Sequence, residues 1–181
     1  MPVRDLHRYR RRVSELIAPT VRLHTAWLEA HEEWGPGVHE DGFGLQPSDE
    51  VDSPAGFAAW VARLIAESVP AKPLDAGRVP CTYRWIVEGD RVLGGIALRH
   101  ELSDLGHIGY GVRPSARRRG LATWALGQIL GEAQLLGLDR VLILCAADNI
   151  ASAKTIEHHD GVLEDVRDTE LGRVRRYWIK I

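Results

Sequence analysis

One stretch constrains this chain more than any other: Gly106 to Ala122, which reads GHIGYGVRPSARRRGLA. An alternating run from His107 to Val112 stops at Pro114. Arg117, Arg118 and Arg119 follow, then Gly120 and Ala122, and then a long apolar-periodic segment. The pattern is that of a strand, a tight basic loop and a helix start. A loop of this kind aims several backbone N–H groups at one point and adds the positive end of a helix dipole. It is a site for an anion, a phosphate foremost. A chain organised around it needs a strand leading in and a helix leading out, so it belongs with the mixed α/β folds.

The 181 residues suffice for one domain with a full core. A net charge of −2 supplies no overall attraction to nucleic acid or to an anionic membrane. Cys81 and Cys145 make neither a metal-ligand spacing nor a disulfide framework, so a reducing cytoplasm is expected, with no metal. No apolar run approaches the roughly 18 residues of a membrane span. The N-terminus lacks the apolar centre of a signal peptide.

Along the chain, residues 2–18 place Leu6, Tyr9, Val13 and Leu16 three or four apart, which predicts a short amphipathic helix or a poorly ordered leader. Its arginines, Arg8, Arg10, Arg11 and Arg12, read as a solvated face rather than a nucleic-acid contact. Residues 1–18 are therefore set apart as an extension, and 19–181 as the domain. Thr20 to Leu23 reads weakly as a strand. A helix is expected from His24 to Glu33, stopped by Gly35, Pro36 and Gly37. Ser53 and Pro54 open another, whose stripe is Phe57, Trp60, Val61, Leu64 and Ile65. Between Leu23 and Val61 there is no Lys or Arg, while Glu29, Glu32, Glu33, Glu40, Asp41, Asp49, Glu50 and Asp52 are all acidic. Such a segment either draws a cationic partner or is a solvated loop and helix face.

After a loop from Pro70 to Pro80, strands are expected at Thr82–Glu88, Val92–His100 and His107–Val112. They form an antiparallel meander with a turn at Glu88–Arg91. Gly94 and Gly95 inside the second strand predict a bulge or a close backbone approach. A helix from Gly120 to Gly137 should bury Leu126, Ile129, Leu130, Ala133 and Leu136. Val141–Cys145, apolar throughout, is expected to be a central strand covered on both faces. It should lie parallel to the strand before the loop, across a βαβ crossover. Asp148 or Asn149 can cap a helix from Ile150 to His159. Gly161–Val166 and Arg173–Ile181 close the chain as a hairpin about a turn at Leu171–Gly172. The sum is one mixed α/β domain.

The residues Val112, Pro114, Arg117, Gly120 and Ala122, spaced V-x-P-x-x-R-x-x-G-x-A, resemble the acetyl-CoA-binding signature of the GNAT N-acetyltransferases. Asn149, Ala151 and Ser152 resemble the family's N-x-A-S helix, and the order of elements from Thr20 to Ile181 matches. The run LRHELSDLGHIGYGVRPSARRRGLAT is similar to a subgroup of bacterial predicted acetyltransferases. The resemblance implies a central, mostly antiparallel sheet with one parallel, splayed strand pair, flanked by helices. It implies acetyl-CoA as cosubstrate, its pyrophosphate held by Arg117, Arg118, Arg119, Gly120, Leu121, Ala122 and Thr123. The pantetheine arm would pass the backbone of Tyr110, Gly111 and Val112 and meet Asn149 and Ser152. Physical reasoning on the residues agrees: Gly120 permits close approach to phosphate oxygens, and Ala122 stays small at the helix start. Asn149 could equally be only a helix cap.

The implied reaction is direct acetyl transfer to an amine. His107 is the first candidate for general base, with an imidazole suited to neutral pH; Glu101 and His100 are the alternatives. A hydrogen-bonded structural role for His107 stays open. Where many relatives carry a tyrosine acid, this chain has Ile156, so the CoA thiolate leaves unaided or Tyr110 serves. Cys145 reads as a small buried hydrophobe rather than a nucleophile, and His158 and His159 as decoration of a helix end. Trp27, Trp34 and Trp60 lie in the segment that covers the acceptor in this family, with a core role favoured for Trp60. The acceptor is expected to be a small-molecule or peptide amine, a cationic one on account of the acidic segment. A protein N-terminus or lysine and a non-catalytic acyl-CoA sensor remain the other readings. No nucleic acid or membrane partner is expected; the residues do not give the oligomeric state, and the resemblance adds a homodimer as one possibility, since dimers are common in the resembled family.

Overall fold

The sheet is built around the hairpin and crossover that the sequence pattern anticipates. The computed structural model describes residues 13–35, 41–69, 78–170 and 172–181. Among them are strands β1 (Glu15–Ile17), β2 (Cys81–Glu88), β3 (Arg91–Arg99), β4 (Ile108–Val112), β5 (Arg140–Ala146), β6 (Val162–Thr169) and β7 (Gly172–Lys180). The helices are α1 (His24–Trp34), α2 (Pro54–Ser68), α3 (Leu121–Leu135) and α4 (Ile150–Glu157). The strands form one sheet in the order β1-β2-β3-β4-β5-β7-β6. Every pairing is antiparallel except β4 with β5.

Alternation along the strands divides the core in two. Ile96, Leu98, Ile108, Val141, Ile143 and Cys145 face α3 and α4. Trp85, Val87, Val92 and Ala97 face α1 and α2, where Trp27, Phe43, Phe57 and Trp60 pack edge-to-face and tilted with centroids 4.7–6.3 Å apart. Each such ring buries a large apolar area. Ser53 caps α2 by accepting from the Gly56 N–H at 3.1 Å, with Pro54 in the first turn. Gly137, at φ 79°, ends α3.

Several expectations are corrected. The helix expected over residues 2–18 is not present at its end: Glu15–Ile17 is an edge strand, with Leu16 opposite Ile86; residues 2–12 lie outside the described set. Pairing to the free edge of β2 satisfies three residues' backbone groups that an isolated short helix would leave marginal. Thr20–Leu23 is no strand but a single 3-10 turn leading into α1. Ile65 and Leu136 are about half exposed rather than part of their helices' buried stripes. The helix expected to reach His159 ends at Glu157, and β6 runs on to Thr169. Gly94 and Gly95 serve both expected purposes. The register of β2 against β3 slips between Ile86 and Val87. A side chain on Gly95 would meet Gly42 O at 2.8 Å, so the backbone after α1 lies directly on β3. Of the loops, residues 36–40 and 70–77 and Leu171 lie outside the described residues. Among the described residues, no helix is long and apolar enough to cross a membrane.

Candidate active site

The loop after β4 is held open as a cradle. Arg113 N donates to Leu93 O at 2.8 Å, anchoring the loop's start to β3. Pro114–Ala116 makes one 3-10 turn. Arg118 (φ 58°) and Gly120 (φ 76°) then take left-handed backbone conformations, which turn successive N–H groups to one side. The amides of Leu121, Ala122 and Thr123 form the first turn of α3, where no carbonyl stands four residues back. Trp124 N is the first to close the helix, onto Gly120 O at 2.9 Å. Unpaired backbone amides gathered in this way can receive an anion.

The arginines divide their roles. Arg117 Nε donates to Val112 O at 3.0 Å and so braces the loop. Arg119 bonds Glu88 at 2.6 Å, a buried carboxylate that also accepts from Ser14 Oγ at 2.8 Å. Arg118 is exposed and has no carboxylate partner among the described residues, which leaves its charge for a ligand. Buried Arg113 donates from Nε and Nη2 to Glu33 Oε1, at 3.0 and 2.5 Å, and from Nη1 to Val92 O at 3.1 Å. Glu33 also accepts from Ser115 N and Oγ. Hydrogen bonds from the Arg113 guanidinium, the largest cause, hold the Glu33 carboxyl down at about 2.

Beside the cradle the sheet parts. Ile108 pairs with Ile143, and no later residue of β4 pairs with β5 among the described residues. Beyond that point β5 stays bonded to β7 through Ala146, while β4 stays bonded to β3 through Val112. The facing edges of Gly109–Val112 and Leu144–Ala146 therefore diverge. On the α3–α4 side of this gap Tyr110 Oη lies 2.8 Å from Ser152 Oγ. Burial pushes the Tyr110 phenol up to about 12 and pushes the Cys145 thiol up as well. Asn149 Oδ1 accepts from Ser152 N at 3.0 Å, so it does cap α4.

The expected bases fare unequally. His107 is buried, and its Nδ1 accepts from Leu142 N at 2.9 Å while its own N–H donates to Leu142 O at 2.7 Å. Its Nδ1 lone pair is engaged, so the neutral ring carries its proton on Nε2. Burial, with the Arg99 charge adding to it, lowers its pKa further. It is a strand clamp, ill-suited to accept a proton. His100 bonds Thr82 Oγ1 through Nε2 at 2.8 Å, and burial lowers its pKa. Glu101 is exposed on the β3–β4 loop. Neither lines the cavity on the other side of the gap.

That cavity has a volume of about 630 Å³. Leu142 and Leu144 line it, alternating with the β5 residues that face α3; Leu142 is buried and Leu144 half-buried, so β5 is a covered central strand, as expected, except beside the cavity at Leu144. Leu102, Asp104 and Leu105 from the β3–β4 loop and Arg167, Glu170 and Arg176 from the β6–β7 hairpin complete most of the wall. Asp104 and Glu170 escaped the sequence reading. Both stand in turns, where acidic residues are ordinary; the one available signal was a carboxylate at the tip of the hairpin that flanks the parallel pair.

A family model of the acetyltransferase (GNAT) domain matches residues 20–161. The chain belongs to the GNAT acetyltransferase family. No curated protein matches it in sequence. Among solved structures it is similar to the microcin C7 self-immunity acetyltransferase MccE, in complex with acetyl-CoA and AMP (15% identity, 93% of this chain and 92% of that one, TM-score 0.68). An acetyltransferase from Salmonella typhimurium that modifies the N-terminal serine of a 50S ribosomal subunit protein aligns with 18% identity over 93% of this chain and 95% of that one, TM-score 0.66. Mycobacterium smegmatis RimJ, in complex with CoA-disulfide, aligns with 16% identity, 93% and 82% coverage and TM-score 0.68. At these identities the likeness is one of fold.

Within this GNAT fold, the core role favoured for Trp60 is what the structure shows, and other side chains join it. Ile156 is fully buried against Gly161, so the position where relatives carry a tyrosine acid is core here. Trp27 and Trp60 are core too, and Trp34 packs edge-on to Phe43 with centroids 5.5 Å apart; none lines the cavity. Three residues of the acidic segment are engaged with the protein itself. Glu33 holds Arg113, Asp49 holds Arg63 at 2.5 Å, and Glu50 accepts from Ser53 N at 2.7 Å. Glu40 lies outside the described residues. His159 does more than decorate a helix end: its Nε2 lies 2.7 Å from Thr123 O, tying α4 to the first turn of α3. Among the described residues no group of three or more His, Cys, Asp or Glu could hold a metal ion.

Proposed function

We propose that this GNAT acetyltransferase moves the acetyl group of acetyl-CoA directly to a primary amine. The observation that carries the reading is the parting of β4 from β5 next to the amide cradle headed by Gly120. The amides of Arg118 to Thr123 would hold the pyrophosphate, with Arg118 adding charge. Freed backbone of Tyr110, Gly111 and Val112 would bond the arm, and Asn149 and Ser152 flank its path.

The chemistry then has a direction. The thioester sits in the gap, with the amine arriving from the cavity side. A backbone N–H near Val112 polarises the carbonyl. Glu170, at the mouth of the cavity, takes the ammonium proton, and the amine nitrogen attacks the carbonyl carbon. Collapse of the tetrahedral species breaks the C–S bond, and the departing sulfur takes a proton from the Tyr110–Ser152 hydroxyl pair. Burial keeps the phenol protonated at neutral pH, so an O–H is present to hydrogen-bond the departing sulfur. His107 acts on structure only, by locking the base of the gap.

The test is an amine panel with acetyl-CoA, following free CoA thiol and confirming the acetylated product by mass. Acceptor-dependent thiol release is expected. Tight acetyl-CoA binding without release for any amine would sink the catalytic reading.

A further inference from the structure

The cavity beside the gap has a chemical character of its own. Leu142 and Leu144 make its floor and Leu102 and Leu105 one wall. Its two arginines are already matched. Arg167 Nε lies 3.1 Å from Asp165 Oδ2, and Arg176 Nη1 lies 3.2 Å from the same oxygen and 2.9 Å from Glu164 Oε2. Asp104 and Glu170 have no ion pair or hydrogen bond among the described residues. The cavity therefore offers leucine surface below and unmatched negative charge at the rim. Its volume of about 630 Å³ lies within the range of pockets that bury small organic ligands.

We propose that this cavity is the acceptor pocket, and that it takes a small amine carried on an apolar body and bearing no carboxylate. The inference rests on the acetyl-transfer reading for its reaction but on the cavity alone for its ligand class. A polyamine or an aminoglycoside needs carboxylates along its whole length and gains nothing from a leucine floor. A free amino acid would bring its carboxylate against Asp104 and Glu170 with no unmatched arginine to receive it. An arylalkylamine fits on both counts: its ring covers the leucines and its ammonium meets the rim carboxylates.

The test compares phenethylamine, phenylalanine amide, phenylalanine, glycinamide and spermidine as acceptors. Phenethylamine and phenylalanine amide should exceed each of the other three by at least tenfold in kcat/KM. A preference for phenylalanine, glycinamide or spermidine overturns the proposal. Asp104→Lys, at an exposed position where folding is not at stake, should raise KM for phenethylamine about tenfold and erase the discrimination against phenylalanine. Unchanged selectivity in that variant also overturns it. Calorimetric titration of phenethylamine into the CoA complex separates the two readings. Binding without turnover supports the pocket while sinking the catalytic reading; neither binding nor turnover sinks the pocket itself.

Discussion

Glu33→Gln tests how the end of α1 is joined to the donor loop. Glu33 accepts four hydrogen bonds, two from Arg113 and two from Ser115. The glutamine keeps the shape and an acceptor oxygen but removes the charge facing a buried guanidinium. A carboxyl pKa lowered from 4.5 to about 2 corresponds to about 3 kcal/mol at ~1.4 kcal/mol per tenfold change in proton affinity. The Glu33 side chain is 29% exposed and the residue lies at the surface, so solvent screens the pair. The expected loss at neutral pH is then about 1–2 kcal/mol. The sign follows from linkage. The native carboxyl is the more acidic, so its contribution is full above the unfolded value of 4.5 and fades as pH falls through the native value of about 2. Urea unfolding of both proteins at pH 7 and pH 3 measures it. The gap between wild type and variant should shrink to under half at pH 3, and acetyl-CoA should bind the variant several-fold more weakly at pH 7. A gap as large at pH 3 as at pH 7 would refute the charge-based account of this clamp.

Three further outcomes follow from the site. Gly120→Glu should weaken acetyl-CoA binding at least tenfold, whereas Gly120→Ala meets no atom within 4 Å and should show only the cost of its left-handed backbone, about 1 kcal/mol; equal effects of the two would remove the pyrophosphate assignment. His107→Ala orphans the Leu142 N–H and should lower stability by about 1–3 kcal/mol. It should leave the shape of the pH–rate profile near neutrality intact, and a flattened profile would restore His107 as the base. Tyr110→Phe should lower kcat about tenfold or more while leaving the dissociation constant of acetyl-CoA unchanged, since the backbone that meets the arm is kept; an unaltered kcat would show that the thiolate leaves unaided.

What could be read from the sequence was whatever depends on local backbone demands. Gly120, Pro54, Ser53 and Asn149 each do what their residue type requires at their own position, because turns and caps are decided within a few residues. What could not be read depends on a distant partner. Leu16 has helical spacing, yet β1 forms because the edge of β2 at Trp85–Val87 stands open some seventy residues later. His107 was placed at the correct end of β4, but its role is decided by Leu142, across a parallel pairing. The acidic segment leaves two readings open in the sequence because the partners of Asp49 and Glu33, Arg63 at 14 residues and Arg113 at 80, belong to other stretches of the chain.

That division also bears on specificity. The donor half as proposed consists of amides, two left-handed backbone positions and a parted strand edge, so it requires glycine and small residues but few particular side chains. The acceptor half proposed here consists of side chains on a turn and a hairpin tip, Asp104 and Glu170, together with Leu142 and Leu144 of β5. Those loops carry none of the backbone hydrogen bonds that hold the cradle. Exchanging rim residues should therefore change which amine is accepted without moving the acetyl-CoA affinity. Exchanging Gly120 or Glu33 should weaken donor binding without changing the order in which amines are preferred.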